Sequence, residues 1–195
     1  MIRHFTQLCK RVLEKLTDKQ IYDESTSGYR YYGEKCPNCG ATAKLTPYGG
    51  YSRYMVSDES KEIITHNIKP NRFMCQSCNT THALLPDILT AHSPYSLRFK
   101  LLALSAYYER KTTVVKICEG FGIAVSTIYE WKKRLLSQKE LFLGLLISCK
   151  EPALSFIDGL LVSSHLSDHL RDFFNKYASS FMQRLSKPTT QTNPP

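Results

Sequence analysis

The sequence predicts an α+β fold that is mostly helical: a small β-hairpin followed by a tri-helical unit and C-terminal helices. Three observations predict it. Two Cys-x-x-Cys pairs flank a stretch rich in Tyr, Thr, Val and Ile, residues 96–136 repeat their apolar positions at helical spacing, and the remainder reads as apolar helix. The length of 195 residues suggests one or two small domains. A content of 42% hydrophobic and 22% charged residues is enough apolar material for a folded chain.

The N-terminal 28 residues are expected to form one helix and a loop. Apolar residues between Phe5 and Leu16 recur at spacings of three and four, which indicates an amphipathic helix over 2–20. The STSG sequence at 25–28 favours a loop. We expect this helix to pack against the rest of the chain.

Residues 29–82 form the next predicted unit. Segments 45–56 and 61–74 are typical of extended chain and are joined by a polar stretch. They predict a hairpin that carries one cysteine pair at each end. Pro86 and Pro94 then indicate an irregular connector over 83–95.

The two cysteine pairs predict a metal site. Cys36 and Cys39, like Cys75 and Cys78, are separated by two residues, so that a tight turn can aim both sulfurs at one ion. Gly40 and Asn79 follow the pairs, and both residue types tolerate the left-handed conformation that such a turn needs. Four thiolates are the ligand set of one structural zinc ion, with no open position for catalysis.

One ambiguity remains in this ligand set. His82 lies four residues after Cys78 and is an alternative to one of the thiolates. Disulfides and a redox pair are the other interpretations, and neither has support from an export signal or a βαβ context. Cys9, Cys118 and Cys149 lie on apolar helical faces and are predicted to be small core residues.

Residues 96–136 predict a helix-turn-helix. A first helix over about 97–110 precedes a second that begins near Thr112 or Thr113, where a hydroxyl can cap it. The GFG sequence at 120–122 ends that helix, and Ser126 is the expected N-cap of the next. Ile128 and Trp131 then face the core, which leaves a polar face for base edges and phosphates.

The predicted recognition helix spans residues 126–136. The candidate DNA-binding residues are Thr112, Ser126, Thr127, Tyr129, Glu130, Lys132, Lys133 and Arg134. Polar side chains suit base edges in the major groove, and the basic residues near the end of the helix suit phosphates. A helical hairpin used only for packing or for protein contacts is the alternative.

C-terminal helices are predicted within residues 137–186, at about 138–149, 153–165 and 167–186. Residues 187–195 are predicted to form a disordered tail. The helices either pack against the chain or form a homodimer contact. Asp158, Asp168 and Asp172 lie there without a strand framework that would bring them together, and His165 and His169 are interpreted as surface residues. We therefore expect no enzymatic activity, because an acidic-triad transposase domain needs more chain than remains.

The charge and hydropathy of the chain indicate the class of its partner and its location in the cell. The net charge is +9, and the excess lies mainly in 29–80 and 96–136, so nucleic acid is the leading partner. No apolar run is long enough for a membrane span, and no signal peptide is evident. A cytoplasmic, nucleoid-associated protein is the resulting expectation.

The chain resembles a bacterial family of uncharacterised proteins that join a zinc ribbon to a helix-turn-helix, similar to the N-terminal DNA-binding regions of insertion-sequence transposases. The resemblance is carried by CPNCG, by CQSCNTTHALLPD continuing into SPYS, and by STIYEWKKRL, within residues 36–136. It implies binding of double-stranded DNA, by a transposase-like module or a transcriptional regulator.

Two other functions remain open. The first is a zinc-ribbon interaction module that partners a separate transposase or the transcription machinery. The second is a single-stranded or RNA ligand, because several tyrosines of the predicted ribbon could stack on bases. These are Tyr29, Tyr31, Tyr32, Tyr48, Tyr51 and Tyr54.

Overall fold

The structure is a computed structural model that describes residues 1–6, 15–143 and 152–183. These residues form an α+β fold with six helices and two small sheets, which confirms the predicted class. The strands are β1 (Ile2–His4), β2 (Leu45–Gly50), β3 (Arg53–Glu59), β4 (Glu62–Ile68), β5 (Asn71–Cys75) and β6 (Thr81–Pro86). The helices are α1 (Asp18–Thr26), α2 (Leu97–Glu109), α3 (Val114–Gly120), α4 (Val125–Leu143), α5 (Ala153–Val162) and α6 (Leu166–Tyr177).

The larger sheet has the strand order β1-β6-β5-β2. Strand β5 pairs antiparallel with both neighbours, while β1 lies parallel to β6 with Ile2 opposite Leu84. The side chains of Ile2, Phe73 and Leu84 are buried on this sheet together with two of the cysteines. Because β2 is an edge strand, one side of it is open to other contacts.

Strands β3 and β4 form a separate antiparallel hairpin. Its turn places Ser60 and Lys61 at positive φ, the conformation of a tight hairpin turn. The hairpin packs on the helices through Met55, and the backbone of Val56 pairs with that of Pro94 and Ser96 just before α2. We call this hairpin the β3–β4 arm; its backbone hydrogen bonds hold the chain in place just before α2.

Helices α2, α3 and α4 form the three-helix unit, residues 97–143. The side chains of Ser96 and Thr113 accept hydrogen bonds from backbone N–H groups at the starts of α2 and α3, as expected of N-caps. Gly122 at φ +58 allows the chain to turn sharply between α3 and α4. Ile128, Trp131 and Leu135 of α4 are buried in the common core, and so is Cys118, as predicted.

Helices α5 and α6 complete the helical core. Phe156, Ile157 and Leu160 of α5 are buried in the core that α2 also lines, and Phe173 of α6 packs beside Phe142. The apolar face of α5 is thus covered within the chain. The predicted helix over 153–165 ends at Val162, and the one predicted over 167–186 ends at Tyr177, where Ala178 adopts the left-handed conformation.

The prediction of one helix over 2–20 is wrong at its start. Residues 2–4 form β1, because Ile2 gains a buried place beside Leu84 of β6. That pairing joins residues far apart in sequence, and such tertiary contacts override a local pattern. Residues 7–14 of the predicted helix lie outside the described residues. Helix α1, capped by Thr17, begins at Asp18 and includes Ser25 and Thr26 of the predicted loop.

The predicted hairpin and connector also differ from the structure. Segments 45–56 and 61–74 each divide into two strands, so β2 and β5 of the larger sheet and the whole β3–β4 arm lie between the cysteine pairs in the sequence. Residues 83–86, expected to begin an irregular connector, belong to β6, the strand between β1 and β5. The apolar run of this strand fits its buried position, and Pro86 ends it.

Helix α4 differs from its predicted boundaries at both ends. It begins at Val125, so Ser126 lies in its first turn and is not its N-cap. It also continues past residue 136 to Leu143, through the start of the helix predicted at 138–149. The rest of that helix, the tail at 187–195, Cys9 and Cys149 lie outside the described residues.

Candidate functional site

The four predicted metal ligands converge. The Sγ atoms of Cys36, Cys39, Cys75 and Cys78 all lie within 4.8 Å of one another. The Cys36–Cys78 and Cys39–Cys75 sulfur pairs are each 3.7 Å apart. Four sulfurs at this spacing can surround one ion as a tetrahedron. We call this group the four-cysteine cluster.

Each cysteine pair is held by a tight turn of the kind that the sequence predicts. In the first turn Gly40 N–H donates to the Cys36 carbonyl at 2.9 Å, and in the second Asn79 N–H donates to the Cys75 carbonyl at 2.8 Å. Gly40 and Asn79 adopt φ of +73 and +55, which confirms the expected left-handed conformation. The local sequence therefore preorganises both pairs.

The cluster lies between the two turns and the sheet. Cys36 and Cys75 are buried beside Phe73 and Leu84, whereas Cys39 is exposed. Asn38 Nδ2 donates to Thr80 Oγ1 at 3.2 Å and ties one turn to the other. Hydrogen bonds from Thr80 lower the pKa of the Cys78 thiol to about 6, which favours the thiolate that a metal requires.

His82 supports the cluster from outside. Its Nε2 is 3.3 Å from Cys36 Sγ, and its Nδ1 is 3.2 Å from the Met1 nitrogen. Burial lowers the pKa of His82, so the neutral ring can donate a hydrogen bond to the Cys36 sulfur. The four sulfurs form a group without it, which argues against His82 as a replacement ligand and for a supporting role.

The predicted DNA-binding residues lie in the three-helix unit, seven of them on α4 and Thr112 just before α3. Thr112, Ser126, Tyr129, Glu130 and Lys133 are exposed, while Thr127, Lys132 and Arg134 are half-buried. Ile128 and Trp131, on the opposite face of α4, are buried. The helix therefore has one face in the core and one face free for contacts.

Two of the predicted phosphate ligands are engaged within the chain. Lys132 Nζ donates to the Tyr107 hydroxyl at 2.9 Å and lies 5.1 Å from the centre of that ring. Arg134 pairs with Glu130 at 2.7 Å, one turn apart on α4. Lys133 lies between them, is exposed, and is the best placed of the three cations for an external anion.

Sequence reasoning missed two residues that shape this region. Tyr107 of α2 positions Lys132 and also contacts the Tyr129 ring at 6.1 Å. Lys100 of α2 is fully buried, donates to Thr90 Oγ1 and lies 6.0 Å from the Trp131 ring centre. A lysine within an apolar helix pattern had no local signal that would distinguish it from a surface residue.

Asp87 is a third residue that the sequence did not single out by itself. It is buried, and its carboxylate accepts hydrogen bonds from Thr6 Oγ1 at 2.6 Å and from Ser167 Oγ at 2.5 Å. The THALLPD run thus joins the cysteine-bearing sheet, the N-terminal segment and α6. The hydrogen bonds of Asp87 therefore connect parts of the fold.

Among the described residues, the acidic side chains weighed for catalysis do not form a group that could hold a metal ion. Asp158 accepts a hydrogen bond from Ser105 at 3.2 Å, and Asp168 pairs with Arg171 and lies 3.6 Å from exposed His165. Within residues 1–6, 15–143 and 152–183, the four-cysteine cluster is the one group of three or more metal-ligating side chains. In the same part of the chain, no helix has the length and apolar character required to cross a membrane.

Fold and site together define an α+β protein in which a four-cysteine cluster is joined to a three-helix unit. Residues 36–131, just under half of the chain, match a family described as a domain of unknown function (DUF6431). The match begins at the first cysteine of the cluster and ends at Trp131 of α4. No curated protein and no solved structure shows significant similarity to this chain.

Proposed function

We propose that this chain is a zinc-stabilised double-stranded DNA-binding protein, a zinc ribbon joined to a helix-turn-helix. The observation that carries the proposal is the two-sided character of α4. Ile128, Trp131 and Leu135 anchor one face in the core, and the other presents polar and basic side chains. A helix held in this way can enter the major groove without losing its own packing.

Zinc is the metal that the four-cysteine cluster supports best. Four thiolates in a closed set suit a structural zinc ion, which needs no redox change and no particular d-electron geometry. The hydrogen bond from His82 to Cys36 is an outer contact of the kind that orients such ligands. The ion would stabilise the sheet against which the rest of the chain folds.

The assignment of roles within the three-helix unit follows from exposure. Tyr129 and Glu130 are exposed near the start of α4 and are assigned to base edges, whereas Lys133 is assigned to a phosphate. Lys132 would reach a phosphate only together with Tyr107, which holds its ammonium group. Thr112, Ser126, Thr127 and Arg134 are assigned supporting contacts along the same surface.

The resemblance described above supports a biological role as a transposase-like DNA-binding module or a transcriptional regulator. We propose that the protein is associated with the nucleoid. The proposal assigns no catalytic step to the chain. Incubation with DNA and Mg²⁺ or Mn²⁺ tests that part, because reproducible strand cleavage lost on Asp158→Ala would require an enzymatic function.

Titration of duplex DNA against the zinc-loaded protein at several salt concentrations tests DNA binding. We expect affinity to fall steeply with salt, because released counterions drive such binding. Lys133→Ala should weaken binding to every sequence and reduce the salt slope by about 1. Lys61→Ala removes the same charge from the exposed turn of the β3–β4 arm and should leave the slope unchanged.

Two results would contradict the proposal. Folded, zinc-loaded protein that binds no duplex at moderate salt would favour the interaction module, whose partner is another protein. Equal losses in Lys133→Ala and Lys61→Ala would show binding by net charge alone. Selection of bound sequences from a random duplex pool, repeated with Tyr129→Ala, would show whether α4 reads bases.

A further inference from the structure

The β3–β4 arm has a free strand edge along β4. Strand β4 pairs with β3, and none of the described residues pairs with its other side. Thr65 and Asn67 on this strand are exposed, and so is the apolar residue Ile63, at 38%. A strand edge of this kind presents unpaired N–H and C=O groups to which another strand can bind. We call it the open edge of β4.

The hydrogen bonds of Val56 on β3 identify the backbone groups that face the open edge. Val56 N–H donates to the Pro94 carbonyl at 2.8 Å, and Ser96 N–H donates to the Val56 carbonyl at 3.0 Å. Both groups of Val56 thus point away from β4. Thr65 lies opposite Val56, so its N–H and C=O must point away from β3, toward the open edge. Because this direction alternates along a strand, the residues two positions before and after Thr65 point the same way.

The two free edges on either side of the arm and the larger sheet differ in protection. Strand β2 contains Pro47, Gly49 adopts φ +73, and the register with β5 shifts there. Proline and bulges are means by which proteins prevent pairing at an edge. Strand β4 contains no proline or lysine and pairs with β3 in regular register over its whole length. Lys61 and Lys69 flank it, but they lie outside the residues that face the open edge.

We propose that β4 pairs with β4 of a second copy of this chain, antiparallel and centred on Thr65. In this register Thr65 lies opposite Thr65 of the second copy, and Ile63 lies opposite Asn67. These are the residues whose backbone groups face the open edge, so each one exchanges both hydrogen bonds with the residue opposite. A two-fold axis at Thr65 makes the edge complementary to itself, which is why a second copy is the occupant that it fits.

The side chains and the other edge of the arm are consistent with a dimer. The opposed side chains are uncharged, and a pair of threonines is a favourable cross-strand pair. Exposed Ile63 gains a neighbour that covers it. The resulting sheet would end on β3 at both sides, where Val56 is already bonded to the chain before α2. Pairing through the open edge therefore stops at two copies.

Sedimentation velocity of the full-length, zinc-loaded protein over a dilution series without DNA tests this pairing. We expect the parent protein to form a dimer. Thr65→Pro should weaken it about 30-fold, because one N–H donor is lost from each copy. The β3–β4 pairing loses no hydrogen bond, since this N–H points outward. Thr65→Ala retains the backbone donor and should still dimerise, and circular dichroism with zinc content verifies that each variant is folded.

A second pair of variants tests the register without a proline. Thr65→Lys and Thr65→Glu each place like charges opposite each other at the two-fold axis and should weaken the dimer about 3-fold. An equimolar mixture of the two should associate more tightly than either variant alone, because unlike charges then face each other. The controls are Thr42→Lys and Thr42→Glu, at an exposed threonine between Cys39 and β2, which should leave the dimer unchanged.

Three results would overturn the proposal. The first is a parent protein that remains monomeric throughout the dilution series. The second is a dimer that Thr65→Pro leaves intact, which would place the contact elsewhere, for example on the C-terminal helices. The third is a mixture of the two charge variants that associates no better than each one alone. Since no DNA is present, the outcome is independent of whether the chain binds duplex.

Discussion

The buried lysine of α2 should make the stability of this protein depend on pH. Lys100 is fully buried, and its ammonium group contacts Thr90 and faces Trp131, with Arg134 and Arg53 close enough to repel it. Burial is the main cause that lowers the pKa of Lys100, from 10.5 to about 7. In the unfolded chain the side chain returns to its ordinary pKa.

The sign and size of the effect follow from this difference. Between about pH 7 and 10.5 the unfolded chain holds a proton on Lys100 that the folded chain has lost, so stability rises with pH in that window. Each pKa unit corresponds to about 1.4 kcal/mol, which gives about 5 kcal/mol across the whole window. From pH 7 to 9 alone, the expected gain is about 2 kcal/mol.

Urea denaturation of the zinc-loaded protein at pH 7, 8 and 9 measures this gain, with Lys100→Met as the comparison. The variant lacks the titrating group, so its free energy of unfolding should lose the corresponding rise with pH, while all other groups titrate in both proteins. Lys61→Met, at an exposed turn, should retain it. Parallel pH profiles for the parent protein and Lys100→Met would refute the assignment of a depressed pKa to this lysine.

The remaining predictions concern the metal site and the buried carboxylate. Cys36→Ser should release the metal and unfold the cysteine-bearing sheet, because three thiolates no longer close the site; elemental analysis and circular dichroism measure both, and retention of stoichiometric metal would contradict it. Asp87→Asn should lower the free energy of unfolding by about 1–3 kcal/mol, because an amide cannot accept from both Thr6 and Ser167 without turning a donor toward one of them. Urea denaturation checks this effect, and an unchanged midpoint would show that the carboxylate is dispensable.

Features set by a few neighbouring residues could be predicted from the sequence. The Cys-x-x-Cys turns and the left-handed positions of Gly40 and Asn79 depend on five or six consecutive residues. The same holds for the cap of α3, which the sequence places at Thr112 or Thr113 and the structure places at Thr113. In each case the local chemistry leaves one favourable backbone conformation, so a pattern is sufficient to identify it.

Features set by distant partners could not be predicted. Residues 2–4 become a strand only because β6 offers a parallel edge, and β6 is recognisable only once β5 is in place beside it. The burial of Lys100 likewise depends on Thr90 and Trp131, which come from a loop and from another helix. Such positions carry no local signal, because the contact that determines them is absent from the surrounding sequence.

The segment from Thr80 to Thr90 explains how the two halves of the protein depend on each other. At its start Thr80 bonds the first cysteine turn and His82 bonds Cys36; at its end Thr90 holds Lys100 of α2. Between them Asp87 bonds the N-terminal segment and α6. If the cysteine turns unfold, this segment loses the contacts of Thr80 and His82, and its displacement would remove the partners that Asp87 and Thr90 provide to buried polar groups in the helical part. Metal at the cluster should therefore stabilise the three-helix unit as well as the sheet, although no metal ligand belongs to that unit.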